Sequence, residues 1–457
     1  MILLLPLILL IHFVLLLNTR FTLWPEMVVY PYLFNNHFSL YSDIITNYPP
    51  LFIYFLTIWT RVFGYQPINL QTLTYLIITV IDLLIFVIAY KLFGKVAAYL
   101  GLLFFVILSL PFGVNGLWFD LVVTPFILVS FLFFSKSMIK PSSKALFLAF
   151  LPLTVAFFIK QQVIWLIFWY LVIFSFKFRK QPRFLFHQIL IALAPLAIFT
   201  AVCLFFFYQK NLFYEYIFWI FRFPLSIAPP GAGYHVMPTF RQLLLVGALF
   251  GLFLPALSKK IPKINFILLV SFILIAFAYR FDYFHLIPSL AVFSLAFGQN
   301  LKSLLKSNVV VQSVFALSLI FLILFTIRYF KNNWTQEVRF FEKDIIEAAS
   351  TLSKVTNPDD HIYIQNGPDQ ILPLANRLSV KPWADEFPWY LETKDVQDKV
   401  LTGIVTQNPK FIIFKSYDKG TTYELGVYRP KEIADYLDEN YQNLIEISDT
   451  LWLKVRK

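Results

Sequence analysis

The sequence predicts a polytopic α-helical membrane protein with about eleven transmembrane helices, closed by a small C-terminal α/β domain outside the bilayer. Composition is the first reason. Of 457 residues, 59% are hydrophobic and 14% charged, with a mean hydropathy of +0.69, whereas soluble domains carry about a quarter charged residues. Charge placement is the second. Twenty of the 26 acids follow residue 330, which leaves the first 330 residues at about +16 and the remainder at about −4. The third is a succession of apolar runs, which must be helical in lipid because no water is present to satisfy an open backbone.

Taken in order, the runs fall at 2–18, 69–90, 96–111, 121–135, 145–159, 163–176, 185–208, 240–257, 264–279, 286–299 and 309–328. Met1 to Leu17 lacks a basic leader and a small-residue cleavage site, so the first run reads as a retained span. Lys and Arg sort the loops. Lys91 and Lys95, then Lys136, Lys140 and Lys144, then Lys177, Arg179, Lys180 and Arg183, then Lys259, Lys260 and Lys263, then Lys302 and Lys306 occupy every second loop. That is 14 of the 22 basic residues before residue 331, which places those loops in the cytoplasm and the C-terminal domain outside the cytoplasmic membrane. Arg20 and Arg61 fall on the other side.

The net charge of +12 does not point to nucleic acid, because the basic residues sit in short clusters between apolar runs. Cys203 is the single cysteine and lies within an apolar run, so an intrachain disulfide and a cysteine metal cluster are both excluded. The six histidines are scattered without an H-x-x-x-H pair. No cofactor is required by these residues, and paired carboxylates leave a divalent metal ion open.

Two domains follow: residues 1–330 as a membrane domain with an external loop at 19–68, and residues 331–457 as a soluble α/β domain. The loop is broken by Pro25, Pro31, Pro49 and Pro50, and Leu51 to Gly64 reads as a helix in the membrane interface, with Trp59 and Arg61 at headgroup level. On this topology Glu26, Asp43, Asp120, Glu215 and Asp282 map to the outer face, and only Asp82 lies mid-span. The positive-inside rule does not sort acids, so an outward-opening, carboxylate-lined cavity is the functional reading of their one-sidedness.

The first external loop, with Glu26, Tyr41-Ser42-Asp43, Tyr48-Pro49-Pro50-Leu51 and Phe63-Gly64, resembles that of the GT-C membrane glycosyltransferases. It is most similar to the bacterial branch of protein mannosyltransferases and lipid A aminoarabinose transferases. Trp118-Phe119-Asp120, Lys160-Gln161-Gln162 and Arg280-Phe281-Asp282-Tyr283-Phe284-His285 extend the resemblance over most of the chain. It implies transfer of a sugar from a polyprenyl-phosphate donor to a lipid, glycan or protein acceptor at the outer face of the membrane. Many relatives carry Asp-Glu or Asp where this chain has Pro25-Glu26, so the catalytic carboxylate is Glu26 or Asp43.

The chemistry asks for the same residue types. An acceptor hydroxyl attacking an anomeric carbon needs a carboxylate for its proton, and a departing phosphate needs cations in a partly dry cavity. Lys160, Arg280 and His285 are the donor-phosphate candidates, with Asp120, Gln161, Asp282 and Tyr41 positioning substrate. Each has a plainer alternative. Ser42 and Asp43 would cap the turn before Pro49-Pro50, Asp120 would favour a helix N-terminus, Lys160 would snorkel, and Arg280 and His285 would pair locally with Asp282. Asp82 reads as a hydrogen-bonded contact between helices, and Phe213 to Phe223 as an amphipathic outer-face helix.

In the tail, HIYIQ, PKFIIFK and LWLKV read as strands, and Gln336 to Val355 and Pro430 to Glu439 as helices. Trp383, Trp389 and Tyr390 beside Asp385 and Glu386 either stack sugar rings or dock against the membrane domain. The rival functions are a transporter or flippase of lipid-linked sugars, which predicts polar residues through the membrane depth, and a ligase or polymerase of preassembled glycans.

Overall fold

The structure is a computed structural model, and its described residues are 4–227, 236–257, 281–393, 395–416 and 428–457. The chain forms two compact units. The first comprises Met1–Thr22, Gln71–Cys203 and Val236–Gln336, and the second Leu23–Leu70, Leu204–His235 and Glu337–Lys457. The loop at 19–68 and the segment after residue 203 therefore largely group with the C-terminal residues, a division that a linear cut at 330 does not contain.

Among the described residues six helices are long and apolar enough to cross a bilayer: Pro67–Phe93, Phe119–Ile139, Gln161–Phe178, Pro182–Gln209, Tyr283–Leu304 and Val309–Asn333. The shorter apolar helices Leu4–Leu17, Lys95–Leu108, Ser143–Phe157 and Phe240–Gly251 fall on four more of the expected runs. The eighth run breaks at Leu252–Phe253 before a single turn at Leu254–Leu257. The ninth, 264–279, lies outside the described residues.

Lipid-facing surface explains the sparse burial of the outer helices. Leu7, Leu10, Phe13 and Val14 of the first helix are exposed, as are Ile198, Val202, Phe205 and Phe206 near the end of Pro182–Gln209. Within the first unit, Ile287–Leu304 is the central helix and is buried on nearly every side. It packs against both Lys95–Leu108 and Phe119–Ile139. Small residues allow the first of these contacts: a Cβ at Gly298 would lie 2.4 Å from the Cα of Ala97, and one at Gly101 would lie 2.3 Å from the carbonyl oxygen of Ser294. His12 Nδ1 meets Asp82 Oδ2 at 2.7 Å, with both side chains buried. Asp82 thus joins Leu4–Leu17 to Pro67–Phe93, as a mid-span carboxylate with a partner on another helix should.

In the second unit a five-stranded mixed sheet orders Leu378–Ser379, His361–Gln365, Phe411–Lys415, Leu451–Arg456 and Tyr441–Ser448. The first three strands run parallel, and the last two pair antiparallel, with Tyr363 opposite Ile412 and Leu453 opposite both Ile413 and Ile445. The three strands expected from HIYIQ, PKFIIFK and LWLKV are all present. Ile345, Ala348, Ala349 and Leu352 form the buried stripe of helix Lys343–Val355, which covers the antiparallel end of the sheet. Helix Lys431–Asn440 follows Pro430. Arg377 is buried and donates to Thr356 Oγ1 and to the carbonyls of Ser353, Thr356, Ala375 and Asn376, so every nitrogen of its guanidinium is used.

The loop 19–68 departs from expectation in one respect. Besides the helix Pro50–Phe63, it forms a second helix, Glu26–Asn35, with Pro31 inside it. The run VVYPY has weak helical propensity, but every residue from Glu26 to Leu33 is buried, and that packing overrides it. Phe213 to Phe223 also differs from a regular amphipathic helix: Phe213–Ile217 is α-helical and Phe218–Ile227 continues as a π-helix through Pro224.

Candidate functional site

Three of the candidate residues meet in the first unit. Asp120 lies in the first turn of Phe119–Ile139. Lys160 sits in an extended conformation between Ser143–Phe157 and Gln161–Val163, its amide donating to the carbonyl of Ala156. His285 belongs to the 3-10 turn Tyr283–Leu286 that leads into Ile287–Leu304, and Asp282 caps that turn by accepting from the Tyr283 amide at 2.6 Å. Lys160 Nζ donates to Asp120 Oδ2 at 2.6 Å, His285 Nδ1 lies 2.9 Å from the same oxygen, and Nζ and Nδ1 are 3.1 Å apart. The Asp120 and Lys160 side chains are deeply buried, and that of His285 is 14% exposed. When Lys160 donates to Asp120, His285 either donates from Nδ1 to Asp120 or accepts at Nδ1 from Lys160, so one proton position decides how the triad is wired.

A cavity opens on this triad. Asp120, Lys160, His285 and Gln162 form its polar side, and Val123, Ile127, Val163 and Leu166 form its apolar side. Asp120 is thus more than a helix-capping acid, and Lys160 does not snorkel to water. Gln161 opens the short turn beside Lys160 and is half-buried. Arg280 lies outside the described residues.

Glu26 and Asp43 belong to the second unit, and their surroundings differ sharply. Asp43 accepts from the Ser39 amide at 3.0 Å and pairs with Lys381 at 3.3 Å, both side chains being partly exposed. Its carbonyl accepts from the Trp383 amide at 2.8 Å, next to a short parallel ladder in which Ile44 faces Trp383 and Ile45 faces Ala384. Asp43 therefore shapes the loop. Tyr41 does likewise: at φ 72° it donates its hydroxyl to the Tyr48 carbonyl at 3.0 Å and packs edge-on against Phe207 and Tyr216.

Glu26 is only 8% exposed, and its Oε2 has no hydrogen-bond partner among the described residues. Burial pushes its carboxyl up to about 7, against a backbone hydrogen bond that pulls the other way. Around it stand groups from the C-terminal segment. Tyr30, one helical turn on from Glu26, donates to Asp385 Oδ2 at 3.2 Å and accepts from Thr46 Oγ1 at 3.2 Å. The Trp383 indole donates to Asp369 Oδ1 at 3.2 Å, and its ring meets Tyr30 edge-on at 5.6 Å. Glu386 accepts from the Tyr363 hydroxyl and, at 2.7 Å, from the Asn366 amide.

Burial raises the other three carboxyls as well. Asp369 is pushed up to about 8, with the charges of Glu386 and Glu26 adding to burial, and Glu386 to about 7. Asp385 is raised by burial and then by Glu26 and Asp369. Composition alone hid this cluster, because Asp369, Asp385 and Glu386 lie in a segment where acids are abundant. The usable signal was the adjacency of Asp385 and Glu386 to Trp383.

Trp383, Trp389 and Tyr390 are buried and offer no open face to a sugar. They dock instead: Tyr390 donates to Asn47 Oδ1 at 2.9 Å and stacks on Phe223 at 5.6 Å. Among the described residues no group of three or more His, Cys, Asp or Glu is placed to hold a metal ion, and no step below is routed through one.

The helical membrane bundle joined to a mixed α/β sheet is the fold of the GT-C membrane glycosyltransferases. ArnT from Cupriavidus metallidurans bound to undecaprenyl phosphate is similar at a TM-score of 0.65 and 11% identity, over 99% of this chain and 97% of that one. The same protein in its apo state gives 0.64 and 12%. The Archaeoglobus fulgidus oligosaccharyltransferase AglB, in complex with an inhibitory peptide and a dolichol-phosphate, gives 0.55 and 13%, over 96% of this chain and 72% of that one. In sequence, the family described as dolichyl-phosphate-mannose-protein mannosyltransferase matches residues 47–205. No curated protein matches the chain.

Proposed function

We propose that this protein transfers a hexosyl or pentosyl group from a polyprenyl-phosphate donor to an acceptor hydroxyl at the outer face of the cytoplasmic membrane. The observation that carries the reading is the buried Asp120–Lys160–His285 triad at the polar side of an otherwise apolar cavity. A phosphate attached to a hydrocarbon chain needs both kinds of surface. Lys160 and His285 supply donors to the phosphate oxygens, and Asp120 holds the two in place.

In this mechanism the acceptor oxygen attacks the anomeric carbon, and the bond from that carbon to the phosphate oxygen breaks. Its electron pair leaves with the lipid phosphate, whose charge Lys160 and His285 neutralise. The hydroxyl proton passes to Glu26. Of the two candidate carboxylates, Glu26 fits a base: it is desolvated, it has a free oxygen, and its proton affinity lies near neutrality. Asp43 instead engages Oδ2 with both the Ser39 amide and Lys381 and is partly exposed, so it lacks the desolvation of Glu26. The positive-inside distribution of Lys and Arg supports an extracytoplasmic second unit. The resemblance to ArnT and AglB, whose structures hold undecaprenyl phosphate and dolichol-phosphate, supports the donor class.

The test is transfer by purified protein from a panel of polyprenyl-phosphate sugars. Glu26→Gln should lower turnover by about 10²–10⁴-fold. Asp43→Asn should change it little, because an exposed pair contributes about 0–1 kcal/mol. Full activity in Glu26→Gln rules out the base assignment. Movement of lipid-linked sugar across proteoliposomes without product would favour the transporter.

A further inference from the structure

The catalytic reading uses Glu26 alone, yet Glu26 is one of four buried carboxyls in the second unit. Among the described residues, none of Glu26, Asp369, Asp385 and Glu386 forms an ion pair with a Lys, Arg or His. Buried carboxylates without cations cannot all be ionised together, because each charge lost its water and each repels the next. Protons must therefore remain within the cluster, and the hydrogen bonds show where they are least needed. Glu386 is satisfied as an anion by the Tyr363 hydroxyl and the Asn366 amide, and Asp369 accepts from the Trp383 indole.

Among the described residues, the side-chain donor to Asp385 is the Tyr30 hydroxyl. Tyr30 follows Glu26 by four residues on the helix Glu26–Asn35, so the two share a face. The ladder from Ile44–Ile45 to Trp383–Ala384 then fixes the backbone directly before Asp385, and the Phe387 amide bonds its carbonyl at 2.7 Å.

We propose that Asp385 is a positioning residue for the transfer reaction: held by Tyr30 one turn from Glu26, it stays a neutral carboxylic acid while Glu26 ionises and works as the base. The proposal rests on the assignment of Glu26 to that role. One proton serves the pair. Glu26 gives it up first, since the unionised Asp385 adds no repulsion and its hydroxyl is a donor in a site poor in donors. Asp385 loses its own proton only against the charge of Glu26, which joins burial in raising it. Ionisation of Asp385 then places a second charge beside the base and breaks the arrangement. The groups that set this balance are Glu26 and Tyr30 from the first helix of the loop, Asp369, Asp385 and Glu386 from the C-terminal segment, and Tyr390, which faces Tyr30.

The experiment is the pH dependence of kcat for the full-length protein, its Asp385→Asn variant and its Glu26→Gln variant. Wild-type turnover should fall on the acid side as Glu26 takes up its proton, and again on the alkaline side, by about tenfold per pH unit, as Asp385 ionises. Asparagine mimics the neutral acid and cannot ionise, so Asp385→Asn should keep the acid limb and lose the alkaline one. A purely structural Asp385 would instead lower turnover by one factor at every pH, and that outcome overturns the proposal. An unmoved alkaline limb in Asp385→Asn, with Glu26→Gln inactive, overturns the proposal and leaves the base standing. Full turnover in Glu26→Gln removes both. If Asp385→Asn does not fold, infrared spectroscopy of the wild type decides: a protonated carboxyl band must persist at pH values where Glu26 is ionised, and its absence overturns the proposal.

Discussion

Replacing Lys160 by methionine keeps most of the apolar stem of the side chain and removes the cation. The ammonium sits 2.6 Å from Asp120 and 3.1 Å from His285, with 6% of the lysine side chain exposed, so solvent cannot screen what is left behind. Two losses follow, and they separate. Stability should fall by about 3–5 kcal/mol, because an uncompensated carboxylate remains buried. Transfer should slow by about 10²–10³-fold, the usual effect of deleting one preorganised donor to a developing anion. Thermal unfolding in detergent reads the first, and initial rates with a polyprenyl-phosphate sugar read the second. The double variant Lys160→Met with Asp120→Asn tells them apart. With the carboxylate neutralised, most of the stability should return while transfer stays slow. Recovery of transfer in the double variant would make Lys160 a counter-ion to Asp120 and nothing more. A single variant that melts and turns over like the parent would refute the reasoning altogether.

The remaining expectations are briefer. Because the base works ionised and Glu26 is raised to about 7, turnover should be present above neutrality and lost as pH falls through that value; a rate that stays level down to pH 5 would contradict it. Gly298→Val drives a side chain into the Ala97 backbone, 2.4 Å from the ideal Cβ, and should cost about 1–3 kcal/mol in thermal unfolding. In a Cys203→Ser background, Ser42→Cys should react with a membrane-impermeant maleimide added to intact cells. Reaction only after the cytoplasmic side is opened would reverse the topology.

The bundle was legible because lipid leaves few choices. A run such as 309–328 must be a helix, and Val309–Asn333 is one. Scarcity singled out Asp120 as a candidate, one of only six acids in 330 residues, but nothing in the sequence pairs it with Lys160, 40 residues away, or His285, 165 away. Asp43 is equally scarce and pairs near the surface with Lys381, 338 residues away. Nothing local announces that partner. Glu26–Asn35 was hidden for a related reason, since a helix containing Val28, Val29 and Pro31 is stable here only through burial on all sides. Asp369, Asp385 and Glu386 belong to the surroundings of Glu26 only through a ladder that joins residue 44 to residue 383.

That ladder has a consequence for the order of assembly. Ile44 and Ile45 emerge early in synthesis, but the strand they pair with comes more than 300 residues later. Until Trp383 and Asp385 arrive, Tyr30 lacks its aromatic neighbour and the carboxyl it donates to. A nascent chain, or one stopped ahead of residue 383, can thread its helices into the bilayer and still be chemically idle. The C-terminal segment thereby acts as a completion signal for a loop made more than 300 residues earlier.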